Sequence, residues 1–152
     1  MEIPLTQGKV ALIDDDDYEL ICLYKWHAHC TMDGRWYAKA SSGQLSMHRL
    51  IMNPADVMEI DHIDGDGLNN QRSNLRVCTS TQNKGNMKKA QGKSSRYKGV
   101  CWDYSRNKWI VHIHKNNRQF HLGRFENEED AARAYDAAAK EFFGEFARTN
   151  IL

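Results

Sequence analysis

Hydrophobic and polar positions follow three different rhythms along this chain. Over residues 1–46 the runs are short. Val10–Ile13 reads as a strand, and Leu20, Leu23 and Tyr24 fall at helical spacing within Tyr18–Trp26. Two aromatic-rich strands follow, Lys25–Thr31 and Arg35–Ala40, with Asp33-Gly34 as the turn between them. The four consecutive aspartates Asp14–Asp17 are expected to cap the helix and favour its N-terminal dipole. Together these make a small α+β unit.

Residues 47–90 change character. Met47–Met52 is a short apolar turn or helix, Glu59–Ile63 a strand, and Asp64-Gly65-Asp66-Gly67 a tight turn. Asn69–Ser73 extends the loop, Asn74–Val77 returns as a second strand, and Thr79 or Ser80 caps a helix through Gln82, Asn83 and Asn86. Residues 91–95 read as a flexible basic linker. Residues 96–152 show three strands and one helix. Trp109, Val111 and Ile113 share one face of a strand, with Ile110, His112 and His114 on the other. Asn116-Asn117 is a two-residue hairpin turn, so His114 should oppose Gln119, and His112 should oppose His121. By that register Phe120 and Leu122 join the core face. Asn127 should cap a helix whose Ala131, Ala134, Tyr135, Ala138 and Phe142 line one side and which Gly144 ends.

Composition alters this picture through charge. The 152 residues carry 21 Lys+Arg and 20 Asp+Glu, a net +1 that says nothing about partners. Residues 84–124 nevertheless hold 11 basic side chains and one acidic one, Asp103. A basic block interleaved with Tyr97, Trp102, Tyr104 and Trp109 points to a phosphate-binding surface. No apolar run approaches the roughly 18 residues of a membrane span, so no membrane role and a cytoplasmic protein are expected. Cys22, Cys30, Cys78 and Cys101 lie far apart, which disfavours a disulfide framework or a cysteine zinc ribbon. His27, His29 and Cys30 fit no zinc spacing well and are read as structural.

The polar residues of 47–90 have the chemistry that phosphodiester hydrolysis needs: a base, a cation site and a rigid frame. His62 suits the base, because imidazole titrates near neutrality. Asp61 points to the opposite side of the strand. With an oxygen from Asn83 it favours a hard cation, Mg²⁺ or Mn²⁺. A buried Asn74 can bond the backbone of the loop and pin it. An EF-hand is excluded, since Ser73 stands where the bidentate Glu would be. His48-Arg49 is read as a core histidine or a phosphate contact rather than a catalytic group.

The residues His48-Arg49-Leu50, Ile60–Asp66, Leu68-Asn69-Asn70, Ser73–Arg76 and Thr81-Gln82-Asn83 agree in order and spacing with the HNH endonucleases. The segment closely resembles the phage and intron-encoded homing branch. That resemblance implies a ββα-metal fold, with Asp61 and Asn83 as metal ligands, His62 as general base and Asn74 as the asparagine that pins the loop. The final position is Asn83 where many members have His, as in the HNN variant, and an amide holds a metal more weakly. The resemblance also implies 5′-phosphate and 3′-hydroxyl products.

Tyr97–Val100, Lys108-Trp109, Leu122–Phe125, Glu128–Ala139 and Thr149-Asn150 resemble the Apetala-two, or ethylene-response-factor, DNA-binding domain over nearly its whole length. The resemblance implies a three-stranded antiparallel sheet that reads duplex DNA, backed by one helix. Lys98, Arg106, His112, His114, Gln119 and His121 are its candidate DNA-binding residues. Plant members carry arginines and tryptophans where this chain has Cys101, Asp103 and histidines, so no plant target sequence is carried over. A zinc site from His112, His114 and His121 has no evident fourth ligand.

The expected fold class is therefore α+β. Residues 1–46 form a support region, 47–90 a ββα-metal nuclease motif, 91–95 a linker and 96–152 a DNA-binding domain. The expected function is a metal-dependent, homing-type DNA endonuclease, borne by a phage or mobile element and active in the host cytoplasm. With one site per chain a monomer would nick; cutting both strands takes a weak dimer or two events. No obligate protein partner is expected. A non-catalytic DNA-binding regulator is the rival reading. An RNA-binding module is disfavoured, because the sheet lacks exposed aromatic pairs for stacking.

Overall fold

The computed structural model describes residues 1–41, 43–89 and 94–151. It divides into two units, Met1–Ser80 and Thr81–Leu152. The division falls inside the 47–90 segment.

In the N-terminal unit, β1 (Glu2–Pro4) pairs antiparallel with β2 (Val10–Leu12). The helix that follows, α1, spans only Tyr18–Ile21. It is shorter than the apolar spacing predicts, because Ile21 alone is fully buried while Leu23 and Tyr24 are exposed. The hairpin of β3 (Trp26–Cys30) and β4 (Trp36–Ala40) turns at Gly34 with positive φ. Next come α2 (Met47–Met52), β5 (Glu59–His62) and β6 (Leu75–Cys78), the last two antiparallel with Asp61 opposite Arg76 and His62 opposite Leu75. Ala11, Ile13, Ile21, Ala38, Met47, Ile51, Ile60 and Leu75 form one core. Each large member contributes about 1.5–3 kcal/mol by leaving water. Residues 1–46 thus supply half of this core, against which Ile60 of β5 and Leu75 of β6 pack.

The C-terminal unit begins with α3 (Ser80–Asn86), whose first residue closes the N-terminal unit. Gly85 lies so close to the Phe143 ring that a Cβ there would stand 2.7 Å from it. Strands β7 (Val100–Asp103), β8 (Lys108–Lys115) and β9 (Arg118–Phe125) form one antiparallel sheet, backed by α4 (Glu128–Phe143). Asn116 and Asn117 both have positive φ and make the tight turn between β8 and β9. The register runs Lys115–Arg118, His114–Gln119, Ile113–Phe120 and His112–His121, as the turn dictates.

Beyond that point the alternation fails. A bulge at Val111/His112 places Val111 opposite Gly123 and leaves Leu122 as the extra residue. Arg124 is thereby turned to the open face, beside Ile110. The Asn127 side chain accepts from Glu129 N–H at 2.7 Å, capping α4. The buried side of α4 is Ala131, Ala132, Tyr135, Asp136, Ala139 and Phe143, rotated about one residue from the expected stripe. The cause is Asp136, which accepts from the backbone N–H groups of Asn150 and Ile151 at 2.7 Å each and draws the C-terminal segment over that side.

Of the expected linker, residues 91–93 lie outside the described residues. Ser94 and Ser95 are folded rather than flexible: Ser94 Oγ accepts from Trp102 N–H, and Ser95 Oγ donates to Glu128 at 2.7 Å. No disulfide joins any of the four cysteines.

Candidate functional site

The loop between β5 and β6 is held from two sides. Asn74 is 8% exposed. Its Oδ1 accepts from Asp64 N–H at 3.0 Å, and its Nδ2 donates to Asp64 Oδ1 and to the Asn69 carbonyl. Asp64 also accepts from Asp66 N–H and Asn69 Nδ2. Burial alone would raise the Asp64 carboxyl. The N–H of Asp66 and the amides of Asn69 and Asn74 outweigh that and hold it below the ordinary carboxylate range.

The second hold comes from the aspartate run. Asp17 is buried and takes Arg72 in a bidentate pair, Nη2 at 2.6 Å and Nε at 3.0 Å. Asp14 accepts from Arg72 N–H at 2.8 Å and from Gln71 Nε2. None of Asp14–Asp17 makes the side-chain cap expected of them. Asp14 and Asp17 anchor the loop instead, while Asp15 lies 3.1 Å from the N-terminal amine. Leu12 adds backbone bonds to Leu68 and Asn70. Gly67 is seated against the Trp36 carbonyl and the Tyr37 ring, where a Cβ would not fit.

Inside this frame Asp61 and His62 are 5% and 6% exposed. Arg76, across the strand pair, donates to Asp61 Oδ2 through Nη2 at 2.6 Å and Nε at 2.8 Å. Asn70, fully buried, donates through Nδ2 to the Leu68 carbonyl, which turns its Oδ1 toward His62 Nε2 at 3.5 Å. In the tautomer with hydrogen on Nε2, that oxygen is an acceptor for the ring and Nδ1 is the basic nitrogen. Burial lowers the His62 pKa, against the raising influence of Asn70, Asp64, Asp61 and Asp66, so the ring is neutral at neutral pH. The His48 ring meets His62 edge-on at 5.0 Å, and Tyr37 lies 5.9 Å from both. Burial, then the charges of His62, Arg49 and Lys39, push His48 down to about 3. Its Nδ1 is buried with no hydrogen-bond partner among the described residues.

Sequence reasoning missed Asn70 and the anchors Asp14 and Asp17. Asn70 stood within the matched motif but carried no role. The anchors could not be found from local spacing, since Asp17 and Arg72 are 55 positions apart.

Asp61, His62 and Asn74 belong to the N-terminal unit. Asn83, on α3, belongs to the C-terminal one, where α3 is held by Lys98 Nζ and Arg148 N–H, both donating to the Gly85 carbonyl, and by Thr81 Oγ1 donating to Asn116 Oδ1. Lys98 is accordingly turned into the protein. Burial and the nearby Arg148 charge lower its pKa to about 8. Arg106 is exposed and lies 3.7 Å from Asp103 in the β7–β8 turn. On the open sheet face His114, Gln119 and His121 are exposed, and the His112 and His121 rings stand 5.3 Å apart. Arg124 joins them through the bulge, its Nε 3.2 Å from Asp103.

Among the described residues no group of three or more His, Cys, Asp or Glu side chains is arranged to hold a metal. A strongly hydrated cation such as Mg²⁺ does not require one: one or two protein oxygens suffice when waters and substrate phosphates complete its shell. A buried carboxylate with an amide oxygen is a donor set of that kind.

Two family models match the chain. Residues 34–84 match the model described as HNH endonuclease, and residues 95–145 the AP2 domain. An uncharacterized HNH endonuclease, L560, of Acanthamoeba polyphaga mimivirus is 32% identical over 151 residues, covering 95% of this chain and 76% of that protein. Protein 3.8 of Escherichia phage T7 is 34% identical over 89 residues, 59% of this chain and 73% of that protein. An AP2/ERF and B3 domain-containing protein of rice, Os01g0141000, is 44% identical over 62 residues, 41% of this chain but 17% of its own length.

Proposed function

The chain belongs to the HNH endonuclease family and carries an AP2 domain, and from that premise we propose that it is a metal-dependent enzyme that nicks duplex DNA. HNH nucleases in general use divalent metal ions. The one observation that carries the proposal is a buried His62 next to the buried carboxylate of Asp61, inside a loop tied down by Asn74.

His62 takes the proton from the attacking water, on Nδ1, because Asn70 engages Nε2. Asn74, Asp14 and Asp17 keep the loop from relaxing, so the imidazole is oriented before substrate arrives. Tyr37 and His48 crowd the ring and exclude bulk water from its faces. Asp61 and Asn83 would hold Mg²⁺ or Mn²⁺, which when bound stabilises the departing 3′ oxygen. The AP2 domain holds the duplex, with His112, His114, Gln119 and His121 toward base edges and Arg106 toward phosphate. One centre per chain makes nicking by a monomer the basic event. Relatives from a mimivirus and a phage support a virus- or mobile-element-borne enzyme; the homing type and action in the host cytoplasm are part of the same proposal.

Supercoiled plasmid with Mg²⁺ or Mn²⁺ tests this. Open circles should form before linear DNA, and EDTA should abolish both. Cleavage undiminished by EDTA would refute the metal dependence, and linear product without a prior open-circle phase would refute nicking.

A further inference from the structure

The C-terminal unit holds a second basic feature that the sheet face does not explain. A pocket of about 320 Å³ is lined by Lys88, Lys89, Arg96, Lys98 and Arg148 together with Thr149, and among the described residues no carboxylate lines it. None of His112, His114, Gln119, His121 and Arg124 lines it, although Lys88, Lys89 and Lys98 also line the neighbouring cavity with His112, His114 and Gln119. Its walls are built rather than incidental. The Asn150 side chain accepts from Lys98 N–H at 2.6 Å and donates to the Lys98 carbonyl at 3.0 Å. Asp136 in turn fixes the backbone of Asn150 and Ile151. This bracket brings the segment before β7 and the C-terminal segment together, and with them Lys98 and Arg148.

Only Arg96 of the five cations has a carboxylate near it among the described residues, Glu129 at 3.6 Å. The others repel one another. The cost is visible at Lys98, whose pKa is lowered to about 8 by burial and by Arg148. Five cations lining one concavity, four of them with no carboxylate near them among the described residues, are complementary to an oxyanion of high charge density.

We propose that this pocket, beside the sheet face, is a phosphate site that grips a backbone phosphate of bound DNA. The source of the phosphate rests on the duplex-DNA reading above; the oxyanion chemistry of the pocket does not. Such a contact fixes where the duplex lies without reading its sequence. Lys98 also donates to Gly85 of α3, so a phosphate in the pocket bears on a residue that holds the helix of Asn83.

The test uses the full chain and the double variant Lys88→Gln/Arg148→Gln. Lys98 is left intact because it has the second duty at Gly85, whereas Arg148 reaches Gly85 through its backbone N–H. Binding to a labelled duplex is measured by anisotropy across a salt series. The variant should bind about tenfold more weakly, with a log–log salt slope shallower by roughly 0.9 for each DNA phosphate it no longer neutralises. Equal affinity and equal slope would overturn the site.

A second arm records melting temperature in sodium phosphate against sodium chloride at matched ionic strength. Phosphate should raise it in the wild type and less in the variant. If the wild type binds no duplex, the DNA reading fails, and this arm decides the pocket alone. A response confined to the wild type then assigns it to free phosphate, and equal responses reject it.

Discussion

The β5–β6 loop and the open face of the β7–β9 sheet use similar residue types to opposite ends. Around the loop, Asp61, His62, Asn70 and Asn74 are all buried, and protein groups hold them. On the sheet, His114, Gln119 and His121 are exposed and stand away from the core. A group that moves a proton must be oriented before the substrate arrives, so its partners are built in. A group that reads a base edge must have its donors available, so its partner is the DNA. The polar residues of the loop are therefore part of the fold, and those of the sheet are carried by it.

Substitutions should separate the two regions. The largest expected effect is at Arg76. Arg76→Met leaves the Asp61 carboxylate buried without its guanidinium, and chemical denaturation should show a loss of about 3–5 kcal/mol. A loss below about 1 kcal/mol, the range of an exposed pair, would mean that the pair does not organise the loop. Next come Asn74→Ala and Gln119→Ala, which make the contrast directly. The first strips the loop backbone of partners and should cost about 2–3 kcal/mol. The second should stay within about 0.5 kcal/mol while weakening duplex binding. Equal destabilisation by both would erase the distinction.

A further effect is a pH dependence in the C-terminal unit. Lys98 has a folded pKa of about 8 against an ordinary 10.5, so across that interval the folded chain binds fewer protons than the unfolded one. Stability should therefore rise with pH from about 8 toward 10. Above about 10 the buried Tyr135, whose pKa is raised by burial, acts with the opposite sign, because the unfolded phenol ionises first. Lys98→Met should flatten the rise between about pH 8 and 10. An identical rise in the variant would remove Lys98 as its source.

What could be read in the sequence was local. Asn116-Asn117 sets the β8–β9 register for four successive pairs, because a two-residue turn leaves no slack. The bulge at Leu122 escaped, since nothing in an alternating run marks which residue is extra, and with it went the outward position of Arg124. The ordered motif of residues 48–83 identified the nuclease family. The groups that stiffen its loop were not legible in the same way. Asp14 and Asp17 look like helix-capping residues until the fold brings Gln71 and Arg72 to them. Asn70 gains its task from a buried histidine eight positions earlier. Residues 1–46 were legible only as a support region, without the residues they support, because a supporting core is defined by what it packs against.

The proposed role of His62 as the base is tested most directly by one paired measurement. Wild type and His62→Ala are compared for duplex binding and for plasmid nicking under the same metal conditions. Binding should be equal within error, and nicking by the variant should fall by a factor of about 10² to 10⁴. Nicking at the wild-type rate with binding intact would contradict the assignment of His62 and, with it, the reading of the buried loop as the catalytic centre.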